Sequence, residues 1–418
     1  MPLPRRLAAL LLTLVSLAVI TPACGNGGAR RSDALRVWIM EPGSADLKAF
    51  LTRASTEFEQ SQAGAKVALQ FVPWASAHDQ FVTAIGGGQA PDVAEMGSTW
   101  TPEFGDIGAL VQAGTSLDGY VPSLVEGATV GGKTYGLPWY AGARALIYRK
   151  DVLAGLGLSP PTTWDELLSV GRAVRDRAHL SAFGVAGNAA HYFLPMVWQN
   201  GGELATQKNG TWVSGLDSPR AVAAIQFYAD LYATEHFAPA GALSWNARDV
   251  RAAFEAGDLA MMIGGGWDVR AMLAAHPDLA AKVGTTLLPA GPSGSRDAFA
   301  GGSHLVVFEG TRHEDLARRY VRFLLDPARV ESFSQRIGFL PGERAALALD
   351  PRASDPLYAP FSDQLEAHSR TYPPARQWGG FEADGLFTNA IQQVMGGRRS
   401  AQAAMAGVAK AMNQAFNE

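Results

Sequence analysis

Two hydrophobic rhythms alternate along most of this chain. Short runs rich in apolar and β-branched residues, such as "ALRVWIM" (34–40), "KVALQFVPW" (66–74) and "APDVAEMG" (90–97), predict strands. Between them, apolar residues return every three or four positions. "ADLKAFLTRASTEFEQSQ" (45–62) carries Leu47, Phe50, Leu51, Ala54 and Phe58 on one face and predicts a helix. "SAHDQFVTAIGGG" (76–88) predicts a second helix, stopped by its glycines. Strand–helix alternation of this kind predicts an α/β fold with a largely parallel sheet. Ligands of such sheets sit beyond the carboxyl ends of the strands, which marks "EPGSAD" (41–46) and "GSTWTPE" (97–103).

The rhythm continues to the end of the chain. "AGARALIYRK" (141–150), "LAMMIG" (259–264), "VGTTLLP" (283–289) and "HLVVFEG" (304–310) predict further strands. "SPPTTWDELLSVGRAVRDRA" (159–178) predicts a helix capped by Thr162 or Thr163, with Asp165 and Glu166 in its first turn. Residues 218–237 and 246–258 predict two more helices. Residues 313–338 and 386–416 each read as one long helix. Pro- and Gly-rich punctuation falls at 290–302 and 341–343.

Composition narrows the picture. A chain of 418 residues, 47% hydrophobic and 18% charged, has enough material for two lobes with a sizeable core. A net charge of −4 argues against nucleic-acid binding, which usually shows a basic surplus. The N-terminus differs from the rest. Arg5 and Arg6 precede "LAALLLTLVSLAVI", then Pro22, Ala23 and Cys24, which together form a secretory signal. The single cysteine cannot form an intramolecular disulfide. Its place resembles that of the lipid-bearing cysteine of bacterial lipoproteins, although Thr21 and Pro22 depart from the usual residues there. This reading gives a signal over 1–23, lipidation of Cys24 and a polar tether over 24–33.

Several segments in a fixed order carry a resemblance. They include "GGGQAPDVAEMGSTW" (86–100), "GKTYGLPWYAGARALIYRKDVLAGLG" (132–157), "PPTTWDELL" (160–168), "WQNGGEL" (198–204), "AFEAGDLAMMIGGGWDVR" (253–270), "GGSHLVVFEGT" (301–311) and "GFLP" (338–341). Together they resemble the carbohydrate-binding proteins of bacterial ABC importers, the family typified by maltose-binding protein. That resemblance implies a two-lobe, type II periplasmic-binding-protein fold with the ligand cleft between lobes. The N-lobe would comprise 34–142 plus 297–340, and the C-lobe 143–296 plus 341–418. It implies a sugar ligand, transmembrane permease subunits as partners, a lipid-anchored place outside the cell membrane, and a monomer.

A pyranose presents an apolar face and a rim of hydroxyls. It needs aromatic platforms and planar polar groups. Trp267 follows a strand and three glycines and matches the family's stacking tryptophan, where a core tryptophan at a helix start is the alternative. "GGGW" lacks the lysine and Ser/Thr of a phosphate loop. Ser98, Thr99 and Trp100 match the family's sugar-contacting loop, without the charged pair of maltose-binding protein. Glu41 follows the first strand. Tyr140 precedes a hinge strand, and Arg144 either reaches the cleft or pairs with a carboxylate. His191 and Tyr192 match a C-lobe loop. Arg376 and Trp378 lie in "YPPARQWGGFEADG" (372–385), which the family uses over the sugar. Glu382 could instead cap a helix.

Catalysis is not expected. HExxH and G-x-S-x-G are absent, and one cysteine with 8 scattered histidines gives no zinc spacing. No metal or cofactor is expected. The reading is capture of a neutral di- or oligosaccharide for import. The alternatives are a sugar-phosphate, polyol or other small solute, and a glycan-binding sensor lipoprotein uncoupled from import.

Overall fold

The computed structural model describes residues 33–418. The signal, Cys24 and nearly all of the tether lie outside the described residues.

Two sheets organise the chain. The first has six strands in the order 340–341, 136–142, 301–307, 93–97, 35–40 and 67–72. Leu35–Met40 runs parallel to both Val67–Val72 and Val93–Gly97. The second sheet orders 283–286, 145–149, 259–264 and 181–183. The chain crosses from one sheet to the other between Gly142 and Ala145 and between Thr286 and Gly301. After Pro341 it leaves the first sheet for the core around the second, where Leu347, Phe361 and Leu365 are buried.

These crossings change the expected strand directions. Gly301–Val307 returns from the second sheet and slots antiparallel between Val93–Gly97 and Gly136–Gly142. In the second sheet only 259–264 and 181–183 are parallel. Both sheets are therefore mixed, not largely parallel. A strand that enters from the neighbouring half comes in from the opposite end.

The first sheet is packed on both faces. One core gathers Val37, Phe58, Leu305 and Tyr320, and another gathers Phe81, Phe104 and Phe308. A third and larger core surrounds the second sheet and extends to Trp378 and Phe387. Burying one such side chain is worth about 1.5–3 kcal/mol, so burial of the strands' apolar runs dominates over any local propensity.

Local chemistry sets the helix ends. Thr163 caps Trp164–Ala178, accepting from the Glu166 N–H at 3.2 Å. The two long predicted helices are each broken. Residues 313–338 form Glu314–Leu324 and Pro327–Ile337, because Pro327 cannot continue a helix and Asp326 caps the new one. Residues 386–416 form Leu386–Met395 and Ala401–Phe416, separated at Gly397 (φ 66°) and restarted by the Ser400 cap. No helix among the described residues is long and apolar enough to cross a membrane.

Candidate functional site

A cleft of about 1070 Å³ is walled by strand ends of the first sheet, by the crossings between the sheets, and by helices and loops of both halves. Its polar floor is built on Glu95, which lies on a buried strand. The carboxylate accepts hydrogen bonds from the Tyr140 hydroxyl, the Ser303 hydroxyl (2.6 Å) and the Met40 N–H (2.9 Å). Burial pushes the Glu95 carboxyl up to about 7, against those three hydrogen bonds. Tyr140 and Ser303 belong to two crossing strands and themselves line the cleft. The apolar spot in the strand thus hides an acid that ties the crossings together.

Trp267 lines the cleft beside Gly142, at the end of the Tyr140 strand. It enters the first turn of Gly266–Ala275 straight after Leu259–Gly264. The glycines before it are required, since a Cβ at Gly265 or at Gly142 would overlap the indole. Phe339 stacks on the ring at 4.4 Å and 13°, and the Arg144 guanidinium lies 5.3 Å from the ring centroid. Arg144 lines the cleft and has no hydrogen bond or ion pair with any other described residue. Its donors are available to a ligand rim.

A second aromatic group lies at the ends of the first sheet's strands. Trp100 packs against Trp74 (5.7 Å, 55°) and His78 (5.5 Å), and all three line the cleft. His78 bonds Glu103 at 2.8 Å, which raises the imidazole pKa. Ser98 and Thr99 line the cleft beside them, and the Ser98 N–H donates to the Gly302 carbonyl at 3.1 Å.

The third wall comes from the second half. His191 and Tyr192 line the cleft from the first turn of a helix, Ala190–Gln199, not from a loop. The run "AHYFLPMVWQ" stays helical because its apolar residues are nearly all buried and Pro195 is accommodated. His191 stacks on Phe299 at 4.7 Å and bonds Tyr372 at 2.8 Å. Burial and the nearby Arg144 hold its imidazole well below the usual range. Glu382 closes this side from the helix Trp378–Ala383. Burial raises its carboxyl to about 7.

The structure thus brings together Trp267, Trp100, Thr99, Ser98, Tyr140, His191 and Tyr192. It does not bring Glu41, Arg376 or Trp378 to the cleft. Glu41 pairs with Lys48 at 2.8 Å. Arg376 is exposed and lies 3.8 Å from Asp106. Trp378 is 1% exposed and packs between Tyr372 and Phe387, because the Pro/Gly-rich segment folds into a helix that turns the indole inward. Trp74, His78, Phe339 and Glu95 were not anticipated. The signal for Trp74 was its place directly after a strand end, and that for Glu95 was a lone acid within an apolar strand. No cluster of metal-binding side chains occurs among the described residues.

The bacterial extracellular solute-binding protein family matches residues 41–330. The chain belongs to that family. The diacetylchitobiose binding protein DasA of Streptomyces coelicolor is 27% identical over 389 residues, covering 89% of this chain and 87% of that protein. An ABC transporter solute-binding protein from Thermotoga lettingae, solved bound with alpha-D-tagatose, superposes with a TM-score of 0.80. It is 25% identical and covers 92% of this chain and all of that one (100%). The sugar-binding protein MalE of Xanthomonas citri gives a TM-score of 0.79 at 27% identity, covering 92% and 97% of the two chains. This solute-binding protein has their two-lobe α/β fold, with the cleft between the lobes.

Proposed function

We propose that this solute-binding protein captures a di- or oligosaccharide in the cleft and delivers it to the transmembrane subunits of an ABC importer. The observation that carries the reading is the composition of the cleft. Half-buried indoles at Trp267 and Trp100 offer apolar platforms, and unpaired planar donors such as Arg144 stand beside them. The volume of about 1070 Å³ lies at the upper end of small-ligand pockets, about 300–1,000 Å³, and suits more than one ring. The relatives named for their ligands, binders of diacetylchitobiose and of arabino-oligosaccharides among them, take ligands of the same class.

A neutral ligand agrees with the charges. Arg144 and Arg248 are matched in the lining by Asp79, Glu382 and Asp384, whereas a sugar phosphate would want converging cations. The protein binds without transforming its ligand. Contact with both lobes would favour a closed form that docks on the permease. Lipid on Cys24 would hold the protein at the outer membrane face, two acyl chains giving stable anchoring. Cys24→Ala should then appear in the medium, and continued membrane retention defeats the anchor.

The deciding experiment is a thermal-shift screen of the mature chain with chito-, malto- and arabino-oligosaccharides, sugar phosphates and polyols. A ligand at 100 times its Kd adds about 2.7 kcal/mol of stability. A carbohydrate shift that disappears in Trp267→Ala supports the reading. A shift with a charged compound alone overturns it.

A further inference from the structure

The cleft holds two aromatic platforms, and only one is accounted for by a single bound ring. Trp267 touches Phe339, Arg144 and the edges of Gly142 and Gly265. Trp74 touches Trp100 and the edge of Gly97, where a Cβ would stand 3.4 Å from each indole. No neighbour is common to both sets. The platforms therefore rest on different elements within one cavity.

Trp74 is also anomalous in exposure. It is 42% exposed, one of four large hydrophobic side chains so exposed among the described residues, with Val82, Ile107 and Leu349. Of these four, Trp74 alone lines the cleft. It follows Pro73 at the start of its helix, where neither capping nor core packing calls for an indole. Trp100 packs against the ring at a 55° tilt, and both indoles line the cavity. An indole held open beside a large cleft is a hydrophobic surface awaiting a partner.

We propose that Trp74 and Trp100 form a second ring-binding subsite, and that Trp74 makes the protein selective for chain length. The inference rests on the carbohydrate reading and narrows it to oligosaccharides that reach both platforms. One pyranose stacks on one platform, and a further ring is what would occupy the Trp74–Trp100 pair. Short sugars rest on Trp267 alone.

Calorimetric titration tests this with chito-, malto- and arabino-oligosaccharides of two, three and four rings, each against the wild type, Trp74→Ala, Trp74→Phe and Trp267→Ala. In the series that binds, wild-type affinity should rise with length. Trp74→Ala should weaken the four-ring sugar by about tenfold or more while changing the two-ring Kd by less than about twofold. Trp74→Phe should restore most of the length dependence, and Trp267→Ala should lose every length. An unchanged four-ring Kd in Trp74→Ala overturns the subsite, as does an equal loss at all lengths or a wild-type affinity independent of length. In those cases the carbohydrate reading survives. If no sugar of any series binds the wild type, that reading itself falls and the subsite falls with it. Melting temperatures of the variants, expected to match the wild type at so exposed a position, separate lost binding from lost folding.

Discussion

Single residues in this cleft are fixed by what stands behind them. Gly142 leaves no room for a Cβ beside the Trp267 ring. Gly142→Ala would push the indole off its stack on Phe339 and overpack the crossing strand at a cost of about 1–3 kcal/mol. The expected result is a lower melting temperature together with weaker sugar binding in calorimetry; full affinity in a folded variant would show that the ring position is not what matters. Glu95 supplies a pH signature. Its folded pKa of about 7 lies above the ordinary 4.5, so its folded state holds the proton more tightly. The stability this gives is complete below the unfolded pKa and is lost as pH rises through about 7. In urea unfolding, Glu95→Gln should gain on the wild type between about pH 4.5 and 7, by on the order of 3 kcal/mol, then level off. Parallel pH profiles for the two proteins would refute the shift. Some of this scale was legible beforehand. Trp267 and Trp100 stand just past strand ends, where α/β sheets present ligands. Trp378 was not legible, because Pro and Gly around an indole look the same whether the segment opens as a loop or folds as a helix that buries it.

At the scale of elements, periodicity located most strands and helices, since burial of a face is what the period records. It could not locate the breaks inside two long amphipathic stretches, because the apolar stripe continues across them. Local chemistry decides there. Asp326 accepts from the Arg329 N–H at 3.3 Å and starts the second helix after Leu325. Asp326→Ala should cost about 1 kcal/mol in chemical denaturation and leave ligand affinity unchanged, the cap being remote from the cleft lining. A loss of binding would place this junction in the working part of the protein. Strand order was likewise beyond the pattern. Nothing in "HLVVFEG" says that it pairs with both Val93–Gly97 and Gly136–Gly142, because register is set by contacts distant in sequence.

At the scale of the whole molecule, one of the close contacts between the two halves carries the last prediction. The helix Trp378–Ala383 is anchored by Trp378 and Phe381 in the core around the second sheet. Its Gly379 faces the first half so closely that a Cβ would lie 2.5 Å from Glu103 Oε2, 3.1 Å from Trp100 Cδ1 and 3.4 Å from His78 Nε2. Making room there would cost Glu103 its 2.8 Å bond to His78 and still leave Trp100 Cδ1 at 3.1 Å. Three residues further along the same helix, Glu382 lines the cleft, as Thr99 does from the first half. A larger side chain at 379 would therefore keep the halves apart without disturbing either core. If only the closed arrangement grips the ligand from both walls, apparent affinity scales with the closed fraction, and a tenfold smaller fraction weakens Kd about tenfold. Gly379→Val should accordingly retain wild-type circular dichroism, bind its sugar about tenfold more weakly, and keep a larger radius of gyration by X-ray scattering at saturating ligand, where the wild type contracts. Contraction and affinity equal to the wild type would mean that this contact follows closure without limiting it. Affinity lost with normal contraction would place the effect on Trp100 and the ligand, not on the hinge.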